Sequence, residues 1–512
     1  MISKEAIKRG YNRGNYVVGA HTPPAYAATL TDVGAGTEPG LQRDPVRVSD
    51  AQVDALRHVA DNVMTATADV VAWTRDWWAG SMVSETGGKP ATPQAVIVTV
   101  SSVQQVQAVM RYANAEAIPV TVSAGRSNVT GAALPVRGGI VLDVCQLNQL
   151  IGVDRESQIV EVEAGMFGDV FEQTIQNEYG LTMGHWPSSF GISTVGGWVA
   201  CRGAGQLSTR YGKIEDMVFG MDVVLADGSL ITVGGYSRAA LGSDLQQVFI
   251  GSEGTLGIVT RAVLRLRPAL ERNQAAVLAL HRLDDLPDLL FRIESALGGS
   301  LSAFELMWPE FFDLMTGDGS GRHRPPVRAG AAGYVLMELE ESGATDSSDR
   351  LDELLESLMA RGMLLDAAVA RSHADREAFW RIRNDIEHLI GSMAPLHAYD
   401  VSLPIAGMAD FVATLRRDID ARWPASRVVV FGHVADNNLH IVVNGPDDKE
   451  ALEDLVYKGV IARRGSISAE HGIGLDKRRS LHGARPAPAI ALMQAMKQLL
   501  DPRGTLNPGK VV

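Results

Sequence analysis

Apolar and polar positions change rhythm several times along the chain. Helical spacing begins near Asp50, whose place before Ala51 suits an N-cap, and the segment VVAWTRDWWAG interrupts it. From Pro90 to Pro268 strands and helices alternate. AVIVTV reads as a buried strand, VQQVQAVMRYANAEA as an amphipathic helix and IPVTVS as a second strand. GGIVLDV, QLIGVD and QIVEVEAG are short β-rich runs, and Val170, Phe171 and Ile175 mark a helix from 167 to 177. MDVVLADGSLITVGG predicts a hairpin turning at Asp227-Gly228. After Arg267-Pro268 a new order starts: strand AAVLALH, helix DDLPDLLFRIESAL, strands SLSAFELMW and GYVLMELEE, helix DSSDRLDELLESLMARG and strand MLLDAAVA. This predicts an antiparallel sheet with helices on a single face, an α+β domain. PAIALMQAMKQLL is a last helix, stopped by Asp501-Pro502, before a short coil.

At 512 residues the chain exceeds what one core organises. The pattern divides it into an irregular arm (1–49), a first domain (50–268), a second domain (269–500) and a tail (501–512). The balance of 47 basic and 60 acidic residues gives −13, which disfavours nucleic acid or an anionic membrane as partner. No run of 18 apolar residues predicts a transmembrane segment. The first 30 residues lack a signal-peptide core, so the expected location is cytoplasmic. Two cysteines, Cys145 and Cys201, exclude a disulfide framework and read as small buried residues.

Glycine-rich segments carry the candidate chemistry of the first domain. In TVSAGRSNVTGAALP, directly after a strand, Gly125 and Gly131 permit close backbone approach, and Ser127, Asn128 and Thr130 offer hydrogen bonds to phosphate. HWPSSFGISTVGGWVACRGAG holds Gly196, Gly197, Gly203 and Gly205 around a helix start at Ser193 or Thr194, where backbone amides suit an anion or a flavin carbonyl. In FIGSEGTLGIVTRAVLRLRP, Gly251, Gly254 and Gly257 surround Ser252, Glu253 and Thr255. None fits the dinucleotide pattern G-x-G-x-x-G between strand and helix. Each loop alone is equally well a tight turn.

Together, in this order, the three segments resemble the FAD-binding domain of the vanillyl-alcohol oxidase and p-cresol methylhydroxylase (PCMH) superfamily. The fold implied is α+β: a two-part PCMH-type FAD-binding domain, then an α+β substrate (cap) domain with an antiparallel sheet, and a C-terminal tail returning to the flavin domain. The FAD contacts implied are Ser123, Gly125, Arg126, Ser127, Asn128, Val129, Gly131, Pro187, Ser188, Thr194, Gly197, Trp198, Gly203, Gly205, Glu253, Gly254, Gly257, Ile258 and Asn507. Arg126 stands where covalent members carry a histidine near the first loop, so the FAD is expected to be non-covalent. STVGGWVACRGAG and RYGKIEDMV also resemble the ether-lipid synthase branch, and Trp198 replaces the asparagine usual in hydroxy-acid dehydrogenases.

RVVVFGHVADNNLHIVVNG places His433 at a strand end and His440 at the start of the next strand, so a hairpin brings the two together. SISAEHGIGLDKR adds Glu470 and His471. Two histidines and a carboxylate leave coordination positions open, as a catalytic Zn²⁺ or similar ion requires, with His471 left over as a base; the same histidines also read as core or turn residues. FGHVADNNLH and SAEHGIG resemble motifs of the D-lactate and D-2-hydroxyglutarate dehydrogenase branch. The resemblance implies His433, His440 and Glu470 as ligands of a divalent metal (Zn²⁺ or Mn²⁺), His471 as catalytic base and Asn438 as the motif's asparagine, with Asn437 in place of a glycine. FWRIRNDIE resembles the helix whose arginine, here Arg383, grips the substrate carboxylate. Ala398 stands where the 2-hydroxyglutarate enzymes carry a lysine for the distal carboxylate, and Glu387 where a small polar residue is usual. These departures disfavour 2-hydroxyglutarate itself.

The expected activity is oxidation of a small D-2-hydroxy acid by hydride transfer to FAD. The electron acceptor would be a flavoprotein, a quinone or oxygen, and a homodimer is the default assembly. The rivals are a non-redox flavin transferase of the ether-lipid type, an oxidase of another alcohol, and a protein that keeps FAD only as a structural element.

Overall fold

The computed structural model describes residues 45–66, 70, 73–74, 76–78, 95–270, 272–317, 322–342, 348–446 and 448–512. Residues 1–44 of the expected arm lie outside them. The rest of the arm runs along the first domain, with the Val46 amide donating to the Arg137 carbonyl at 2.8 Å. The first helix, Asp50–Arg57, is capped by Ser49, one residue before the expected Asp50. Ser49 and Gln52 exchange backbone and side-chain hydrogen bonds in a capping box. Asp50 falls instead into the first turn, where its charge complements the helix dipole.

Two sheets build the first domain. Parallel strands Ala95–Thr99, Gly139–Asp143 and Val120–Ser123 carry the antiparallel Asn62–Met64 at one edge. The helix Val103–Ala115 covers this sheet with Val106, Val109, Met110 and Ala113. The second sheet is antiparallel, in the order Leu150–Asp154, Ile159–Glu163, Ile258–Arg265, Val218–Val224, Leu230–Gly234. The predicted hairpin closes at Asp227-Gly228, where Gly228 has φ +78. The helix expected over 167–177 stops earlier as an α-helix, at Gly168–Thr174, and widens into one π-helical turn, Ile175–Tyr179.

A seven-stranded antiparallel sheet organises the second domain: Leu364–Val369, Arg272–Leu280, Gly333–Glu341, Leu301–Met307, Arg427–His433, Asn438–Asn444, Leu396–Ser402. Alternation along these strands shows that both faces are buried. Ala276, Leu278 and Leu280 pack under the helices Leu286–Leu297, Ser348–Ala360, Ile405–Arg422 and Lys449–Ala462. Ala275, Val277 and Ala279 join the cluster that continues into the first domain. Helices were expected on one face only. Pro309–Thr316, His373–Asn384 and Ile386–Met393 also cover part of the other, contributing Phe311, Phe312, Phe379, Trp380 and Leu389 to that cluster. Near-continuous apolar strands such as AAVLAL are the sign of such two-sided burial.

The tail returns to the first domain, as expected. The Val120 amide donates to the Thr505 carbonyl, and the Asn507 amide donates to the Val120 carbonyl at 2.7 Å. Among the described residues no helix is long and apolar enough to cross a membrane.

Candidate functional site

The sheet face turned toward the first domain is not uniformly apolar. On the parity of Ala303 and Met307 stands Glu305; on that of Phe431, His433; on that of Val442, His440; and two residues beyond Ala398, Asp400. Register completes the assembly, because Glu305 pairs with His433 and Asp400 with His440 across neighbouring strands. A 3-10 turn, Val434–Asp436, joins the two histidine strands, and Asn437 takes the left-handed conformation there (φ +66). Asparagine tolerates that region, so the missing motif glycine is accommodated.

The loop after Lys449–Ala462 brings Glu470 and His471 onto this face. Glu470 Oε1 lies 4.0 Å from His433 Nε2, 3.6 Å from His440 Nε2 and 3.6 Å from His471 Nε2. Three imidazoles therefore converge on one carboxylate oxygen. Asp400 backs the group: its Oδ1 is 3.8 Å from His440 Nδ1, its Oδ2 is 3.6 Å from His471 Nδ1, and Oδ2 accepts the amides of Ala469, Glu470 and His471. Burial opposes its charge, but His471, Lys477 and His440 hold its carboxyl far below the usual range. Asp400 and Glu305 were not recognised in the sequence. The signal available was a carboxylate in the interior of each of two strands, LSAFELM and LHAYDVS.

Glu305 hydrogen bonds to His433 Nδ1 and accepts from Arg383 Nε at 2.7 Å. Burial works against its ionisation, yet Arg383 and His433 together hold it at about 2. Burial and Arg383 work to lower His433, but Glu305 on its Nδ1, with Glu470, raises it to about 9. A carboxylate on Nδ1 fixes the ring so that Nε2 faces the convergence point, the arrangement that orients metal-binding histidines. His440 is pushed well below its normal value by burial and by His433, so it is neutral and its lone pair can coordinate. His433, His440 and Glu470 offer one ligand atom each, all within 4.8 Å of one another; Asp400, Glu470 and His471 do the same. A divalent cation fits this donor set.

Arg383, in the helix His373–Asn384, is 1% exposed. Its guanidinium lies over the Phe431 ring, 4.5 Å from the centroid. Asn438 is fully buried and both its amide atoms have no hydrogen-bond partner among the described residues, as have both carboxylate oxygens of Asp436. Such groups cost roughly 1–3 kcal/mol each when unsatisfied, and a polar group bound beside them would satisfy them. Lys213 reaches the same place from the first domain, its Nζ 3.4 Å from the Ala469 carbonyl. Ala398 and Glu387 are both exposed.

The glycine-rich segments interlock beside this centre. An added Cβ on Gly125 would lie 2.1 Å from the Ile192 carbonyl oxygen, so the first loop packs directly on the second. Thr194 caps the helix Val195–Cys201 by accepting the Gly197 amide, which confirms the expected helix start. Gly205 sits against Trp186 and Pro187, and Gly254 near Val122 and Asn507. Ile258 opens the strand Ile258–Arg265. Ser123 Oγ, at the mouth of the first loop, is buried without a hydrogen-bond partner among the described residues, an orphan that a cofactor hydroxyl or phosphate oxygen would satisfy.

The side chains of several residues expected at the FAD make hydrogen bonds or ring contacts within the protein. Asn128 Oδ1 accepts the Thr130 and Ala132 amides within its own loop. The Trp198 indole points into the core, donating to Ser193 Oγ at 2.7 Å and packing on Phe190 and His185. The Glu253 carboxylate is taken by amides of the second domain, and Asn507 Nδ2 donates to the carbonyls of Glu253 and Ala132. Arg126 lies over Trp73, 4.0 Å from the ring centroid. Trp77 and Trp78 belong to the same neighbourhood: the Trp77 amide donates to Asn128, and Trp78 Nε1 donates to Asp476. Both cysteines are half-buried rather than buried.

A family of FAD binding domains matches residues 93–234, and FAD linked oxidases, C-terminal domain, matches residues 270–511. The chain is 31% identical to the mitochondrial D-2-hydroxyglutarate dehydrogenase of Danio rerio over 422 residues, 81% of this chain and 78% of the relative. It is 32% identical to the D-2-hydroxyglutarate dehydrogenase of Xanthomonas citri pv. viticola over 474 residues, 90% of this chain and 95% of the relative. Among solved structures, alkyldihydroxyacetonephosphate synthase superposes with a TM-score of 0.69 at 18% identity, over 91% of this chain and 87% of that one. p-Cresol methylhydroxylase with substrate bound does so with 0.69 at 16% identity, over 91% and 98%. These two likenesses show the shared fold.

Proposed function

The chain belongs to the FAD-linked oxidoreductase family that contains the D-2-hydroxyglutarate dehydrogenases, and from that premise we propose that it oxidises a small D-2-hydroxy acid to the 2-oxo acid. The observation that carries this reading is the convergence of His433, His440 and His471 on Glu470 Oε1. When bound, non-covalent FAD supplies the acceptor for the hydride leaving C2, and a divalent ion held by His433, His440 and Glu470 supplies Lewis acidity toward the substrate hydroxyl.

The remaining work falls to side chains. Arg383 offers its guanidinium to the substrate carboxylate, with Glu305 and Phe431 fixing its orientation. Asn438 offers an amide donor and acceptor that otherwise lack partners. His471 takes the hydroxyl proton at Nε2, because Nδ1 faces Asp400, and Asp400 stabilises the imidazolium that results. The low dielectric between the two domains strengthens each of these interactions. The electrons would leave to an external acceptor, a flavoprotein, a quinone or oxygen.

The test is His471→Ala. The variant should keep FAD and lose at least 10²-fold in flavin reduction by substrate. Near wild-type reduction would overturn the role given to His471.

A further inference from the structure

We infer that Glu253 is a positioning residue that fastens the loop carrying Glu470 and His471 to the first domain, and so sets where the proton acceptor stands relative to the FAD loops. The inference rests on the reading of His471 as that acceptor. It departs from the expectation that Glu253 contacts the cofactor.

Glu253 is held rigidly before its side chain does anything. It takes φ +51 in the G-S-E-G turn, its amide donates to the Ala200 carbonyl at 2.8 Å, and its own carbonyl accepts Asn507 Nδ2 at 2.7 Å. From this anchored backbone the carboxylate crosses to the second domain. Oε1 accepts the Ile473 amide at 2.6 Å and Oε2 accepts the Gly474 amide at 2.8 Å. Two consecutive amides thus use both oxygens of one carboxylate.

The glycines of E-H-G-I-G are explained by this clasp. Gly472 has φ +81, and a Cβ there would come within 2.6 Å of Glu253 Oε1. Gly474 has φ +52, and its Cβ would lie 2.3 Å from the Thr130 carbonyl oxygen. Thr130, in the first glycine-rich segment, supplies a second fastening. Its carbonyl accepts the Leu475 and Asp476 amides at 2.8 and 3.1 Å, and its hydroxyl donates to the His471 carbonyl at 3.3 Å. Residues 471–476 are therefore held by two of the glycine-rich segments of the first domain, while Asp400 holds 469–471 from the sheet behind.

A residue needed only for packing would not be a buried carboxylate. Burial pushes Glu253 up to about 7 even though the Ile473 and Gly474 amides oppose the shift. An apolar side chain of similar volume avoids that desolvation cost. What the carboxylate adds is direction, because it fixes two amides and through them the chain that begins at His471. Misplacing a reacting group by about 1 Å can cost 10²-fold in rate.

The experiment compares full-length, FAD-loaded wild type with Glu253→Ala and Glu253→Gln. It reads anaerobic flavin reduction by a D-2-hydroxy acid and hydrogen exchange of segment 470–476. Glu253→Ala should keep its FAD and slow reduction at saturating substrate by about 10²-fold, with half-saturation changed less than about threefold. Exchange in 470–476 should accelerate while the sheet strands keep their protection. Glu253→Gln, which retains one acceptor oxygen, should fall between the two, and it carries the test if the alanine variant loses FAD. Unchanged reduction overturns the inference, whether or not exchange accelerates, since the residue would then be no more than a structural tie. If wild type itself is not reduced by any hydroxy acid, the oxidation reading fails, while unchanged exchange in the variants would independently overturn the clasp.

Discussion

Asp400 holds His471 twice, with Oδ2 accepting its backbone amide at 3.2 Å and lying 3.6 Å from Nδ1 of its ring. One carboxylate thus sets both the position of the residue and the direction of its imidazole. Asp400 is itself anchored, since Lys477 Nζ donates to its carbonyl at 3.1 Å and lies 3.7 Å from Oδ2.

Asp400→Asn should therefore leave FAD content unchanged and lower the rate of flavin reduction by roughly 10²-fold or more, because a carboxamide neither fixes the tautomer nor stabilises the imidazolium. Stopped-flow reduction under anaerobic conditions measures it. A rate within about threefold of wild type would remove Asp400 from the account.

The Glu305–His433 pair makes stability depend on pH in the metal-free protein. His433 is raised from 6.5 to about 9, so its contribution is complete below 6.5 and disappears as pH rises through about 9. Glu305 is lowered from 4.5 to about 2, so its contribution is complete above 4.5 and is lost as pH falls toward 2. Chelator-treated protein should be most stable between these limits and lose on the order of 2–3 kcal/mol on the alkaline side. Glu305→Gln should abolish that alkaline loss and weaken Zn²⁺ or Mn²⁺ binding by about 10–100-fold. Thermal unfolding against pH, and metal titration, check the two parts.

Arg383→Lys keeps the charge but not the planar fork. The expected outcome is a rise of about 10-fold or more in substrate half-saturation, with a smaller change in the rate at saturation. Alanine is the poorer probe, because it would leave Glu305 buried beside His433 alone and destabilise by about 3–5 kcal/mol.

Ala398 lies two residues before Asp400 in the strand Leu396–Ser402, on the same sheet face, and is exposed. The resemblance puts at this position the lysine that grips the distal carboxylate of 2-hydroxyglutarate. Wild type should prefer a short monocarboxylic hydroxy acid to D-2-hydroxyglutarate, and Ala398→Lys combined with Glu387→Thr should raise kcat/KM for the dicarboxylate by about 10-fold. An undiminished preference in the double variant would show that substrate length is read elsewhere.

Much of this centre was legible along the chain because its parts are local. The histidine hairpin and the E-H-G-I-G loop are short, and the strand period of two puts His440 on a known parity once the strand is recognised. Partners joined by register were not legible. Glu305 meets His433 across 128 positions and Asp400 meets His471 across 71, and nothing in local spacing announces which strands pair. The Glu253 clasp was hidden for a related reason: its motif marks a flavin domain, while its carboxylate crosses to Ile473 and Gly474, 220 and 221 positions away. The resemblance implied Trp198 as an FAD contact; that its indole turns inward to Ser193 depends on packing that no local spacing shows. The order of strands and helices predicted helices on a single face, whereas Phe311, Phe379 and Trp380 cover part of the other; apolar residues on both strand parities were the available sign.

The central claim is tested most directly by anaerobic titration of the FAD-loaded protein with D- and L-2-hydroxy acids, with and without chelator, followed by flavin absorbance. The account predicts bleaching by a D-hydroxy acid, none by its L enantiomer, and loss of that bleaching on chelation with recovery when Zn²⁺ or Mn²⁺ is restored. Metal-loaded protein whose flavin no hydroxy acid reduces, or whose reduction is indifferent to chelator, would contradict it.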